Sequence, residues 1–319
     1  MVKKFDKIVI WGYPHYSCSH SFIHSAFYRA FKYLGYDVYW FDDKPQENFD
    51  FKNTLFISEG NASNNIPLDK SSYYFIHVLK DPNKYIGNVK QLIDLRYLVS
   101  HINDGIYNYT TNFSNLQNLS TGYYIEKNYE EYAKCYIAWA TNLLPDEINY
   151  DWVNIERDKK YYYIGNWNDQ KNTSGSIHNN VDSILKFAQI LKQKNNIEFE
   201  RLSPVSFVDE IEHIKLTQKS FVCPDFRGPK QHEWKYVPCR VFKSISYGHL
   251  GAGNSDSLLV MDNFLDGNYI HSNNIEELHE KIMSKKDDKK FILNQMKLVK
   301  EKNTYLERVK GILKTVEML

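Results

Sequence analysis

Apolar positions along the first forty residues fall into two spacings. Lys7-Ile-Val-Ile-Trp11 is a short, mostly apolar run closed by Gly12, the pattern of a short buried strand. Phe22, Ile23, Ala26, Phe27, Ala30, Phe31 and Leu34 then recur at the helical period, and Gly35 supplies the stop. Asp37-Val-Tyr-Trp-Phe41 returns to the strand pattern. These residues therefore predict one β-α-β unit with parallel strands and a right-handed crossover. Further strands are expected at 54–58 and 72–78, which makes the first half a doubly wound, Rossmann-type domain.

The second half repeats the theme after a change in composition. Pro145 and the polar stretch that follows mark a boundary, with a linker over 149–159. A strand is expected at 161–164, ending in Gly165. Val181, Ile184, Leu185, Ala188 and Leu191 then mark an amphipathic helix, followed by a strand at 197–202. Phe207, Val208, Ile211 and Ile214 predict another helix, and 220–223 a strand leading into Pro224-Asp225-Phe226-Arg227. Pro238 opens a short helix that Gly248 stops, since a residue without Cβ accepts the left-handed conformation a helix end needs. Segments 256–262 and 268–271 finish the sheet, 275–283 is a helix, and 291–316 reads as a long charged helix. The expected division is 1–150, 151–290 and a terminal helical segment 291–319.

Composition narrows the setting. The 319 residues carry 40 basic and 39 acidic side chains, so no global field draws in nucleic acid or an anionic membrane, and any anion site is local. The four cysteines, at 18, 135, 223 and 239, show no C-x-x-C pairing, which argues for a reducing, cytoplasmic setting without disulfides or a zinc ribbon. No apolar run is long enough to span a bilayer, leaving peripheral membrane contact as the furthest association expected. The loop Gly12-Tyr-Pro-His-Tyr-Ser after the first strand lacks the Gly-x-Gly-x-x-Gly fingerprint, against an NAD or FAD site there.

The densest chemistry lies at Cys223-Pro-Asp-Phe-Arg227-Gly-Pro-Lys230 and Tyr236-Val-Pro-Cys-Arg240-Val-Phe-Lys243, which runs on to Gly248, Asn254 and Ser255. Arg240 and Lys243 share a helix face. With Arg227 and Lys230 on the preceding loop, four cations and a helix N-terminus are expected to converge on one anion, as a diphosphate favours. A solvated basic face is the plain alternative. The run Arg-x-Phe-Lys-x-x-x-x-Gly resembles the Arg-x-Phe-Glu-x-x-x-x-Gly signature of GT-B glycosyltransferase C-terminal domains, particularly the CgeB-like group. Tyr236-Val237, Arg240 and Phe242 are also similar to a motif of GDP-fucose-dependent fucosyltransferases. Lys243 departs from the pattern, standing where the common families place a ribose-binding glutamate.

The resemblance implies two Rossmann-like doubly wound domains facing across a cleft, with the last helix crossing back to the first domain. It implies transfer of a sugar from a UDP- or GDP-linked donor to a glycan or other hydroxyl acceptor. Arg227, Lys230, Arg240, Lys243, Gly165, Asn254, Ser255 and His77 would contact the donor. Apart from the resemblance, the chain is read as having no metal triad, no Asp-x-Asp and no His-x-x-x-His, so no metal is expected, cations and helix N–H groups taking its place. Transfer with inversion needs a base for the acceptor hydroxyl; Glu59, at a strand end beside Gly60, is preferred and His15 is second, with His20 also in the loop after the first strand. A non-catalytic binder of an anionic ligand and a sugar-nucleotide 2-epimerase are the alternatives.

Overall fold

The computed structural model describes residues 4–14, 19–97, 102–103, 106–107, 123–126, 132–165, 180–202, 210–229, 232, 237–254 and 264–319. The chain divides into two compact units. Unit 1 is Met1–Leu144 with Thr304–Leu319, and unit 2 is Pro145–Asn303.

Unit 1 is built on a seven-stranded sheet of β1 (Lys7–Trp11), β2 (Val38–Phe41), β3 (Thr54–Glu59), β4 (Tyr73–His77), β5 (Gln91–Tyr97), β8 (Tyr123–Glu126) and β9 (Ala133–Ile137). Its order is β2-β1-β3-β4-β5-β9-β8. All neighbours are parallel except the edge pair β8 and β9. Two short strands, β6 (Ile102–Asn103) and β7 (Ile106–Tyr107), form a separate antiparallel pair. Every residue of β3 and β4 is buried, as strands covered on both faces require.

Helix α1 (Ser19–Tyr33) joins β1 to β2 as the apolar period predicts, and it stops where Gly35 takes φ +80°. The later crossovers differ from a doubly wound domain. Segments 42–53, 60–72 and 78–90 are loops, with one 3-10 turn at Pro82–Lys84. Their chemistry explains it: Pro45, Asn48, Asn61, Asn64, Pro67, Pro82, Asn83 and Gly87 favour turns over helix. Aromatic rings cover that face instead, with Phe49 and Phe51 packed against Trp11, Phe41 and Phe56.

Unit 2 pairs β10 (Lys160–Ile164) with β11 (Glu198–Leu202), and β12 (Ala252–Gly253) with β13 (Ile270–His271), both in parallel. The expected strand at 220–223 is an extended segment that stitches the two pairs together. Phe221 N donates to Lys160 O at 2.8 Å, Asp225 N to Ala252 O at 2.8 Å, and Asn254 N to Asp225 O at 3.0 Å. Around this core lie α2 (Val181–Asn195), α3 (Glu210–Lys219), α4 (Cys239–Ser246), α5 (Ile275–Lys285) and α6 (Lys289–Lys302). The expected linker belongs to this unit, because the Trp152 backbone packs against Gly248, and Arg157 donates to Trp152 O and Gly248 O.

The expected single terminal helix is two. The chain breaks after α6 at Asn303, whose side chain donates to Phe264 O, and α7 (Tyr305–Met318) then belongs to unit 1. Helix α6 stays in unit 2, where the Gln295 amide holds the backbone of Gly251 in both directions. Helix α7 packs on α1, with Tyr305 edge-on to Phe27, and it buries Arg308 completely. Among the described residues no helix is long and apolar enough to cross a membrane.

Candidate functional site

Two groups of side chains sit at carboxyl ends of parallel strands, one in each unit. In unit 1, β2 lies on one side of β1 and β3 on the other, so the chain reverses direction across the sheet at β1, where open α/β sheets take ligands. Glu59 and His77 end β3 and β4 and are register partners, so their side chains leave the same face. Gly60 permits this close pairing. Its N–H donates to His77 O at 2.7 Å, and a Cβ there would lie 1.9 Å from Val78 O.

Helix α1 brings His20 and His24, one turn apart, to the same place. The ligand atoms of His20, Glu59 and His77 all lie within 4.8 Å of one another. The His20 ring stands 5.3 Å from that of His77 and stacks on Tyr13 at 5.9 Å. His24 packs on Tyr13 and Trp40, and His77 edge-on against Trp139 at 5.0 Å.

Glu59 is buried yet well held. Its Oε2 accepts from Tyr13 Oη at 2.5 Å and Asn61 N at 2.9 Å, and its Oε1 accepts from Asn61 Nδ2 at 2.7 Å. Lys80 donates in turn to Asn61 Oδ1. Burial lowers the pKa of all three histidines. For His20 the Glu59 charge opposes the shift; for His24, pushed down to about 3, the His20 charge adds to it; His77 falls well below the usual range, helped by His20 and His24. Three imidazoles whose protonation burial disfavours thus share a largely buried seat with the Glu59 side chain.

Of the residues expected here, Glu59 and His77 meet. His20 stands in the first turn of α1 rather than in the preceding loop, and His15 lies outside the described residues. The expectation of no metal has to be set against this cluster, whose donor types suit an ion. The expectation that the chain holds no His-x-x-x-His is wrong, since His20-x-x-x-His24 stands in the sequence and puts two imidazoles on one helix face.

In unit 2 the same logic selects the ends of β10, the 220–226 segment and β12. Gly165, Arg227 and Asn254 follow these three, and α4 contributes Arg240. The Arg240 guanidinium lies over the Tyr163 ring, 4.6 Å from its centroid, and against Gly165, where a Cβ would stand 2.0 Å from Nη2. Glycine at 165 is therefore what admits the guanidinium. Burial works against its charge but is outweighed by Tyr163, Asp225 and Tyr161, so its pKa rises.

Arg227 has another occupation. Its buried Nε donates to Asp225 Oδ2 at 3.0 Å, which offsets its charge, and Asn254 bonds its backbone N–H at 2.7 Å and carbonyl at 3.1 Å. Of the four cations expected in the clamp, Arg227 is paired with Asp225. Arg227 and Asn254 brace the loop, while Arg240 and the half-buried Lys243 stand one turn apart on α4. Both depress His213, pushed to about 3 chiefly by burial. Lys230 and Ser255 lie outside the described residues. Helix α4 starts after Pro238 and Gly248 takes φ +92°, as the breaker residues require.

Toward the amino end of β10, unit 2 has a pocket of about 430 Å³ lined by Arg157, Lys159, Cys223, His249 and Lys286 among others. His249 is buried, with Nε2 2.7 Å from Thr217 O, and burial aided by the Arg157 charge pushes it down from 6.5 to about 3. A histidine with a depressed folded pKa binds its proton more readily when unfolded. Its stability contribution is thus present above pH 6.5 and drains away as the pH falls toward 3. His249 is expected to account for a loss of about 2 kcal/mol between pH 7 and pH 5. Urea midpoints of the wild type and His249→Gln at both pH values check this, the wild type losing more by that amount.

Compared with known protein families and with curated proteins, the chain matches none.

Proposed function

We propose that the chain is a nucleotide-sugar-dependent glycosyltransferase of two α/β units, with the donor diphosphate at the carboxyl ends of the unit 2 strands. The observation that carries this reading is the placement of Arg240, held on Tyr163 and Gly165 at the carboxyl end of β10, with Lys243 one turn along α4. Charge growing on a departing nucleoside diphosphate would be met there by a guanidinium whose position is set in advance. Return of α7 to unit 1 also suits the GT-B resemblance. The acceptor side falls to unit 1, where Glu59, His20 and His77 give a hydroxyl a polar, largely buried seat.

One observation favours a binding protein without turnover: two of the expected donor contacts, Arg227 and Asn254, are already engaged within the protein. Incubation of the full chain with UDP-, GDP- and dTDP-sugars separates the readings. Release or transfer of sugar supports the transferase, binding without turnover the receptor, and interconversion of donors the epimerase. Arg240→Ala is expected to lower turnover about a hundredfold with the far-UV spectrum unchanged. Unchanged turnover would refute the donor assignment.

A further inference from the structure

We propose that His20, Glu59 and His77 hold a divalent transition-metal ion of the zinc type in unit 1. The donor set is two imidazoles and one carboxylate, a combination that binds such ions while leaving positions open for water or a hydroxyl. All three ligand atoms lie within 4.8 Å of one another. Two ligands on a tetrahedral ion at bond lengths of about 2.1 Å stand about 3.4 Å apart, so closure asks for the ligand atoms to approach by at most about 1.4 Å.

Acceptor bookkeeping on Glu59 leaves room for the ion. A carboxylate offers about four lone-pair sites. Tyr13 and Asn61 N use both of those on Oε2, and Asn61 Nδ2 uses one on Oε1. The second site on Oε1 is the one that remains. The hold of Asn61 on that carboxylate, itself fixed by Lys80, is the outer support that orients metal ligands.

His24 supplies an independent sign. It is buried beside His20, and its Nδ1 has no hydrogen-bond partner among the described residues. A buried imidazole nitrogen one helical turn from His20 is costly unless something meets it. Register explains why the group exists at all: the Glu59 and His77 pairing comes from strand neighbours, and the two histidines from the first turns of the helix that follows β1. The ligand geometry stands without the glycosyl-transfer reading. Only the ion's role, holding the acceptor hydroxyl, rests on that reading.

Chelator-treated full chain is to be titrated with Co²⁺ under visible absorption and with Zn²⁺ by equilibrium dialysis, without any sugar nucleotide. The expected result is one ion per chain and cobalt d–d bands that zinc abolishes. Glu59→Gln and His77→Gln should each weaken zinc binding at least about 100-fold, and Asn61→Ala, which removes a support but no ligand, about 10-fold. Should the buried variants fail to fold, His20→Gln at the half-buried position carries the same expectation. No stoichiometric ion on the wild type, or binding indifferent to these substitutions, overturns the proposal. An empty site would leave donor turnover to be explained by Glu59 as a bare base, whereas a filled site with no donor turnover would sink the transferase and not the metal.

Discussion

Asp225→Asn is expected to destabilise unit 2 by about 3–5 kcal/mol, because it removes the carboxylate charge paired with the buried guanidinium of Arg227. The pair is almost fully shielded, with side chains 0% and 5% exposed for Arg227 and Asp225. An ion pair taken out of water gains little net energy while intact, since desolvation offsets attraction, and the large penalty appears when one partner alone is removed. A double substitution, Asp225→Asn with Arg227→Met, should therefore recover about half or more of the loss. Urea unfolding of the three variants checks this. Equal or greater loss in the double variant would show that the pair is worth more than its desolvation. A second consequence reaches Arg240, whose charge Asp225 also favours; on the proposed glycosyltransferase reading, donor binding should weaken even where folding is retained.

Arg308→Ala should cost unit 1 about 3–4 kcal/mol. The residue is completely buried in α7, its Nε donating to Ala138 O at 2.9 Å and its Nη2 to Trp139 O at 3.3 Å. Burial pushes its pKa down to about 10, Tyr305 and Glu307 pulling the other way. Those carbonyls leave the sheet just beyond β9, next to the ring of Trp139 that packs on His77. Truncation would orphan both acceptors and open a void the length of an arginine stem. Thermal unfolding of Arg308→Ala beside Arg308→Lys measures it. Lysine keeps one charge and part of the stem but cannot address two carbonyls in one plane, so it should recover less than half.

The parts of this architecture that could be read in the sequence are those set by neighbours along the chain. The apolar run 8–11, the helical period from Phe22 to Leu34 and the stop at Gly35 place β1, α1 and β2 to within a few residues. Pro238 and Gly248 bracket α4 for the same reason, each acting through its own backbone. What depends on distant partners was hidden. The helical period runs on past Asn303, yet the helix ends there because that side chain is drawn to Phe264 O and the next residue, Thr304, bridges to Thr141. The loops on the second face of unit 1 are held by aromatic rings whose partners are other strands.

The sites divide in the same way. Arg240 was a candidate from its type and helix-face spacing and Gly165 from the family resemblance, but that one rests on the other follows only from the parallel order of the strands. Arg227 is two residues from Asp225, and no spacing rule says whether such a guanidinium folds back or reaches out. Glu59 and His77 become neighbours through register, which local motifs do not record. The His20–His24 pair is the exception, legible from its interval of four.

Helix α7 completes a body whose other residues precede it by the whole of unit 2. During synthesis the ribosome must therefore release Pro145–Asn303 before the first body can close, and nascent unit 1 waits with the α1 surface that α7 will cover still bare. Unit 2, contiguous in sequence, is free to finish folding first.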